Sequence, residues 1–529
     1  MPTKSSVTKP HSGWRETFNQ IMLMLILAFT FRVFVVEAFV IPTGSMAPTL
    51  KGAHSRFICE NCGYHYDVNY AGPRSASTEI NIPRFTENGL PIHCSNCGFR
   101  ADSAQADRPL IYYGDRILVL KYAYLLRPPR RWDVVVFKTP SDPNLYHYSQ
   151  AYIKRLIGTP GESIMILDGD IYVATKPDPS AGDWQIQRKS DVVQDALWRI
   201  VNDSDYAPLG LTPESRAAYE TQTVESYIPW RSGNASWHYT RDETGARAFN
   251  FSNLAGVDKL TFDRRTHERN KGPLTDWLAY DQNASPSGQG MLYPVSDLKL
   301  GLNYSRSGGS GPLELRLSKR EDIFTARLLP DAVELLRADM SDPEKTTLLA
   351  RKLWKFDARP VRVEFMNLDY QVRLLIDGQE VLATTPQQYA PDVELLRREN
   401  TIPPYPTTSI QARDQVCSIT HLSLWRDVFY TVRMSNGAPV PRGGPDNPVV
   451  LGKDEYFTLG DNSPLSQDGR YWTDSVHLPA EDVEAQAGVV PARFLLGKAL
   501  LVYWPAGYRL YYDSAPDLIP NFGEMRFIH

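Results

Sequence analysis

The chain has 529 residues, a net charge of −4 from 57 Lys and Arg against 61 Asp and Glu, and five cysteines. That length allows several domains, and a near-balanced charge without basic stripes excludes a nucleic-acid partner from the expectations. Forty prolines, 34 glycines and 11% aromatic residues favour a mainly β, loop-rich chain over a helical bundle.

Residues 1–14 read as a cytoplasmic tail and 15–36 as a single transmembrane helix rich in Ile, Leu, Met, Phe and Val. The uncharged run from Ile21 to Phe31 is short against the roughly 20 residues a crossing needs. Arg32 breaks it, and its long side chain is expected to snorkel to the far interface. Lys4, Lys9 and Arg15 precede the run, so the N-terminus should stay cytoplasmic and the rest lie on the outer face. The alternative is a removable secretion signal ending near Ala38.

Just past this segment, Ile41–Leu50 holds Thr43, Gly44 and Ser45 between Pro42 and Pro48. Gly44 permits a tight turn that leaves the Ser45 hydroxyl uncovered, and the prolines stiffen both sides. The Ser45 N–H and the Thr43 hydroxyl are candidate donors to an oxyanion. Next come Cys59/Cys62 and Cys94/Cys97, two Cys-x-x-Cys-Gly knuckles. Four thiolates from such turns suit a closed, structural zinc site. Disulfides are the alternative in an oxidising compartment. Cys417 stands alone and is expected to be buried.

Short β-branched runs at Ile117–Leu120 and Val134–Phe137 predict buried strands. Asp168-Gly169 predicts a hairpin turn within 165–173. Between them Lys154 sits among Tyr152, Ile153, Leu156 and Ile157. Apolar surroundings disfavour an ammonium and lower its pKa. A hydroxyl needs a proton acceptor to become a nucleophile, and neither the Ser45 nor the Lys154 motif contains a histidine. Lys154 is therefore the candidate base, with Arg155 expected to face solvent, since strand neighbours point to opposite faces.

Residues 177–449 interrupt this pattern. Alternation at Leu313–Leu317 and Val361–Phe365, a hairpin at Asp377-Gly378 and a strand at Leu422–Trp425 predict an inserted β-sandwich. A short helix is expected over Asp331–Asp339. The polar loop from Leu459 to Trp472 follows, with Ser466 as a candidate to orient Lys154, and Asp468 and Arg470 as a bracing pair. Phe494–Trp504 predicts another strand.

In this order, the segments 39–50, 114–119, 133–138, 152–161 and 460–472 resemble bacterial type I signal peptidases (leader peptidases). The resemblance implies a mostly β catalytic core with a Ser/Lys dyad: Ser45 as nucleophile, Lys154 as general base, Thr43 as oxyanion-hole hydroxyl, Ser466 as the lysine's orienting group, and Asp468 and Arg470 as support. Phe39, Ile41, Val136 and Tyr152 match positions lining shallow pockets for small side chains, which implies cleavage after Ala-x-Ala-like sequences. Trp132, Ser463 and Gly469 depart from the family pattern. The implied activity is removal of signal peptides from exported preproteins at the cell (cytoplasmic) membrane, with the bilayer as partner.

The catalytic domain would comprise 37–58, 109–176 and 450–529, with a zinc-ribbon-like insertion at 59–108 and the sandwich at 177–449. The sandwich weakly resembles laminin-G or concanavalin-like modules, which implies a glycan or protein ligand. From another class, the alternative is a surface recognition or adhesion protein on a degenerate protease scaffold. A Ser/Lys protease that cuts itself or one dedicated partner is a third reading.

Overall fold

The structure is a computed structural model. It describes residues 13–69, 92–99, 101, 111–139, 150–206, 229–241, 247–263, 274–282, 292–356, 359–399, 401–432, 440–473, 475–478, 483–507 and 519–529. Lys4 and Lys9, invoked for orientation, lie outside them. The chain is mainly β.

The N-terminal helix covers Trp14–Phe34, and the first strand begins at Val36. Ile21, Leu23, Met24 and Leu27 on the helix are all exposed. Among the described residues, no helix is long and apolar enough to cross a membrane. Arg15, Glu16, Asn19 and Gln20 occupy the helix start and Arg32 its last turn.

An antiparallel sheet follows in the order Val36–Val40, Arg116–Leu120, Leu495–Trp504, Val134–Lys138, Ala151–Gly158, Glu455–Leu459, Val490–Pro491. Strands distant in sequence thus become neighbours. Val135 pairs with Lys154, and Leu459 with Arg155. Ile41, Met46, Leu50, Ile117, Val134, Val136 and Val502 pack on one side of this sheet; Val135, Phe137, Leu156, Phe457 and Trp472 belong to a second core. Residues such as 134–137 are buried on both faces, which is why they read as continuous apolar runs rather than alternating ones.

The insert forms a 13-stranded antiparallel sheet assembly around the 19-residue strand Thr408–Arg426. Leu422–Trp425 is therefore the end of a central strand, paired with Arg199–Asp203 and Leu298–Gly309. The helix expected over Asp331–Asp339 is a strand, Ala332–Asp339. Its partners Asp322–Leu328 and Asp342–Leu353 supply ladders on both sides, and that pairing overrides local propensity. Met165, Leu167, Tyr172 and Ala174 from the 165–173 hairpin region pack into the sandwich core, so the insert is continuous with the frame that carries it.

Candidate active site

Lys154 is on the strand Ala151–Gly158, and Ser45 is in the short 3-10 turn Gly44–Met46. The Lys154 ammonium nitrogen lies 2.7 Å from Ser45 Oγ, and Thr43 Oγ1 donates to the same oxygen at 3.3 Å. Ser45 is half-buried, whereas Lys154 is only 5% exposed. Tyr152, two residues earlier on the same face, sets its ring centroid 5.7 Å from Lys154 Nζ. Burial pushes the Lys154 amine down to about 8; Arg470 lowers it further, and Asp468 and Asp461 oppose the shift. An amine that is partly neutral near pH 8, within hydrogen-bond reach of a hydroxyl, can take that hydroxyl's proton.

Arg155 corrects the expectation of a solvent-facing partner. It is fully buried and bidentate to Asp461, with both N–O distances 2.7 Å. The opposite face of the strand is closed by the Leu459–Trp472 loop, so the alternation rule holds while the solvent does not reach it. Burial alone would raise the Asp461 carboxyl. The Arg155 guanidinium outweighs it, and the group titrates below the ordinary carboxylate range.

Asp468 and Arg470 form a second buried pair, at 2.8 and 2.7 Å. Asp468 accepts from Gly460 N–H at 2.9 Å, and Arg470 donates to Ser463 Oγ at 2.7 Å and to the Thr431 carbonyl. Ser463, one of the departures, thus joins the loop to the 428–432 segment; its hydroxyl also accepts from Thr431 N–H. Gly469 has no room for a side chain, because a Cβ would sit 2.5 Å from the Gly488 carbonyl. Trp132 takes φ 75°, a left-handed conformation that glycine adopts freely. Ser466 Oγ is buried against Gly460 and makes no hydrogen bond to Lys154. Ile41 and Val136 are buried in the sheet core; Phe39 and Tyr152 are partly buried.

Sequence reasoning did not single out Asn462 or Asp281. Asn462 lies in the polar loop already marked as important. Asp281, from the insert, carries no sequence signal of its own. Asn462 N–H donates to the Ser45 carbonyl at 3.0 Å, and its side-chain amide donates to the Gly44 carbonyl at 3.0 Å and to Asp281 at 2.9 Å.

The four cysteines of the two knuckles are buried and unbridged. Cys59 Sγ lies 3.6 Å from Cys97 Sγ, and Cys62 Sγ 3.7 Å from Cys94 Sγ. A disulfide needs about 2.05 Å. Four sulfurs at about 2.3 Å from a zinc ion would stand about 3.8 Å apart, so the spacing suits a tetrahedral ion. The knuckles match: Gly63 and Gly98 take φ 74° and 75°, and their N–H groups bond the Cys59 and Cys94 carbonyls.

Fold and site together define a mainly β protein whose buried amine contacts a serine hydroxyl on a tight turn. The family described as signal peptidase, peptidase S26, matches residues 99–210 and 373–504. That match includes Lys154, Ser466, Asp468 and Arg470; Ser45 and the insert's centre lie outside it. A probable signal peptidase I-2 of Synechocystis is 25% identical over 174 residues, 33% of this chain and 52% of that one. Signal peptidase I of Rickettsia typhi is 28% identical over 169 residues, 32% of this chain and 47% of that one. The chain thus spans about half the length of the curated relatives it matches. A carbohydrate-binding module, CBM66 of Bacillus subtilis, superposes with a TM-score of 0.23 at 8% identity, over 37% of this chain and 95% of that one. A likeness of that size carries no argument for the insert. Over the residues matched, the chain is similar to type I signal peptidases.

Proposed function

We propose that this chain is a membrane-bound serine endopeptidase that removes N-terminal signal peptides from exported preproteins through a Ser45/Lys154 dyad. The observation that carries the reading is the 2.7 Å contact between a buried amine and the Ser45 hydroxyl.

Neutral Lys154 takes the Ser45 proton as Oγ attacks the scissile carbonyl. The oxyanion draws on the Ser45 N–H and the Thr43 hydroxyl. Collapse breaks the peptide bond, and the departing amine of the mature protein takes the proton from Lys154. Water, deprotonated by Lys154, then attacks the acyl-Ser45 ester; the ester bond breaks, Ser45 Oγ takes the proton back from Lys154, and the signal peptide is released. Asp461–Arg155 and Asp468–Arg470 hold the loop that backs the lysine. Ser466 stays a candidate orienting group once substrate is bound. Phe39, Ile41, Val136 and Tyr152 form the apolar surroundings of small substrate side chains.

Two further parts belong to this reading. The helix Trp14–Phe34 is apolar on every side over Ile21–Phe29, and the large side chains of that stretch are exposed; such a helix seeks lipid. Lodged in the cytoplasmic membrane, with Arg32 reaching an interface, it keeps Ser45 near the outer surface. Cys59, Cys62, Cys94 and Cys97 hold a structural zinc ion, with no position left for a reacting water.

The test is cleavage of a precursor with an Ala-x-Ala site by the full chain in detergent, with Ser45→Ala as control. Cleavage by the parent and none by the variant is expected. A surface recognition protein on an inert scaffold would leave the precursor intact with either chain, and an acylating probe would leave Ser45 unlabelled.

A further inference from the structure

The turn Ala279–Asp281 of the insert packs directly behind the nucleophile turn. Leu278 and Tyr280 form an apolar cluster with Ala47. The Tyr280 ring lies so close to Gly44 that a Cβ there would stand 2.7 Å from its Cε1 atom. Beside it, Asp281 is fully buried, at 2% exposure. Its carboxylate accepts from Asn462 Nδ2 at 2.9 Å and from Asn69 Nδ2 at 3.3 Å. Among the described residues, no Lys, Arg or His pairs with it. A carboxylate without a cation is costly to bury. Replacing it with an apolar group of similar volume relieves that cost but leaves the Asn462 and Asn69 amides without their acceptor, so the two effects offset and a purely stabilising role is a poor account of it.

What the carboxylate does is visible one bond further on. The Asn462 amide has two protons. One goes to Asp281 and the other to the Gly44 carbonyl, which also accepts from Ala47 N–H. Asn462 N–H holds the Ser45 carbonyl. A trans peptide is planar, with its C=O and N–H pointing in opposite directions. Pinning the Gly44 carbonyl toward Asn462 therefore turns the Ser45 N–H the other way. Among the described residues, that N–H has no protein acceptor.

We infer that Asp281 is a positioning residue for the oxyanion site: by fixing the Asn462 amide it locks the Gly44–Ser45 peptide and aims the Ser45 N–H at the reacting carbonyl. The inserted block is thereby part of the machinery that shapes the transition state, not an appended module. Without Asp281, the Asn462 amide can rotate, and the Gly44 carbonyl keeps the Ala47 N–H but loses its tie to the 459–472 loop. An oxyanion donor displaced by a fraction of an ångström stabilises the transition state less while leaving ground-state binding alone.

The inference rests on the Ser45/Lys154 reading, so the parent chain is measured first: failure to cleave the Ala-x-Ala precursor would refute that reading and not this one. Given an active parent, Asp281→Leu and Asp281→Asn are compared with it in the full chain. Asp281→Leu is expected to unfold cooperatively at a temperature close to the parent's, with kcat reduced about 10- to 100-fold and KM within about twofold. Asp281→Asn keeps an oxygen acceptor for Asn462 and should recover kcat to within about threefold. In an Asn462→Leu background, Asp281→Leu should add little further loss, because the two residues act in series. Parental kcat in Asp281→Leu, an equal loss in Asp281→Asn, additive losses with Asn462→Leu, or loss of cooperative unfolding in Asp281→Leu would each overturn the inference.

Discussion

Lys154 is a place where activity and stability should oppose each other. Its amine titrates at about 8 in the folded chain against an ordinary value of 10.5. The difference of 10.5 − 8, at about 1.4 kcal/mol for each pH unit, is about 3–4 kcal/mol. The sign follows from which state prefers the proton. Below pH 8 both folded and unfolded chains carry an ammonium, and the folded chain bears the full cost of burying it. Between pH 8 and 10.5 the folded chain is neutral while the unfolded one is still charged, so the cost fades; above 10.5 it is gone. Lys154→Met keeps a long unbranched side chain in the site without the charge. It forfeits one hydrogen bond to Ser45, worth about 1 kcal/mol. Net stabilisation of about 2–3 kcal/mol is expected at pH 7, shrinking above pH 8, together with complete loss of precursor cleavage. Urea unfolding followed by tryptophan fluorescence at pH 7 and pH 10.5, parent against variant, measures it. A variant less stable than the parent at pH 7, or a gain independent of pH, would refute the reasoning.

The pH profile of kcat/KM should rise about tenfold from pH 7 to pH 9 and flatten above, because the neutral fraction of an amine titrating at about 8 grows by that factor; a flat profile between pH 6 and 10 would exclude Lys154 as base. Asp461→Ala strands the fully buried Arg155 guanidinium and should cost about 3–5 kcal/mol, read from the shift of the urea midpoint. Elemental analysis should find one zinc per chain, with four thiols unreactive until a chelator is added, and chelation should lower the unfolding temperature; two disulfides and no zinc would reject the ion.

The chemistry of the site is local, and so it can be read from the chain. Gly44 before Ser45, an amine within the apolar run 152–157 and the charged loop 461–470 each carry their own physical signal. So does the matched glycine after each cysteine pair. What alternation cannot report is what lies on the far side of a strand. Arg155 alternates with Lys154 as a strand neighbour should, yet meets Asp461 instead of water, because a loop 306 residues away covers it. The strand Ala332–Asp339 likewise takes its conformation from the ladders on either side.

By itself, the order of residues determined which groups are able to react: a hydroxyl on a glycine turn, a lysine denied solvation, four thiols in paired turns. Tertiary structure alone decided their distances and their support. It brings Ser45 and Lys154, 109 residues apart, to 2.7 Å, and sets a carboxylate of the insert behind the Gly44–Ser45 turn through Asn462. Reactivity follows from short-range composition. Positioning arises from contacts between segments hundreds of residues apart, which no local pattern encodes.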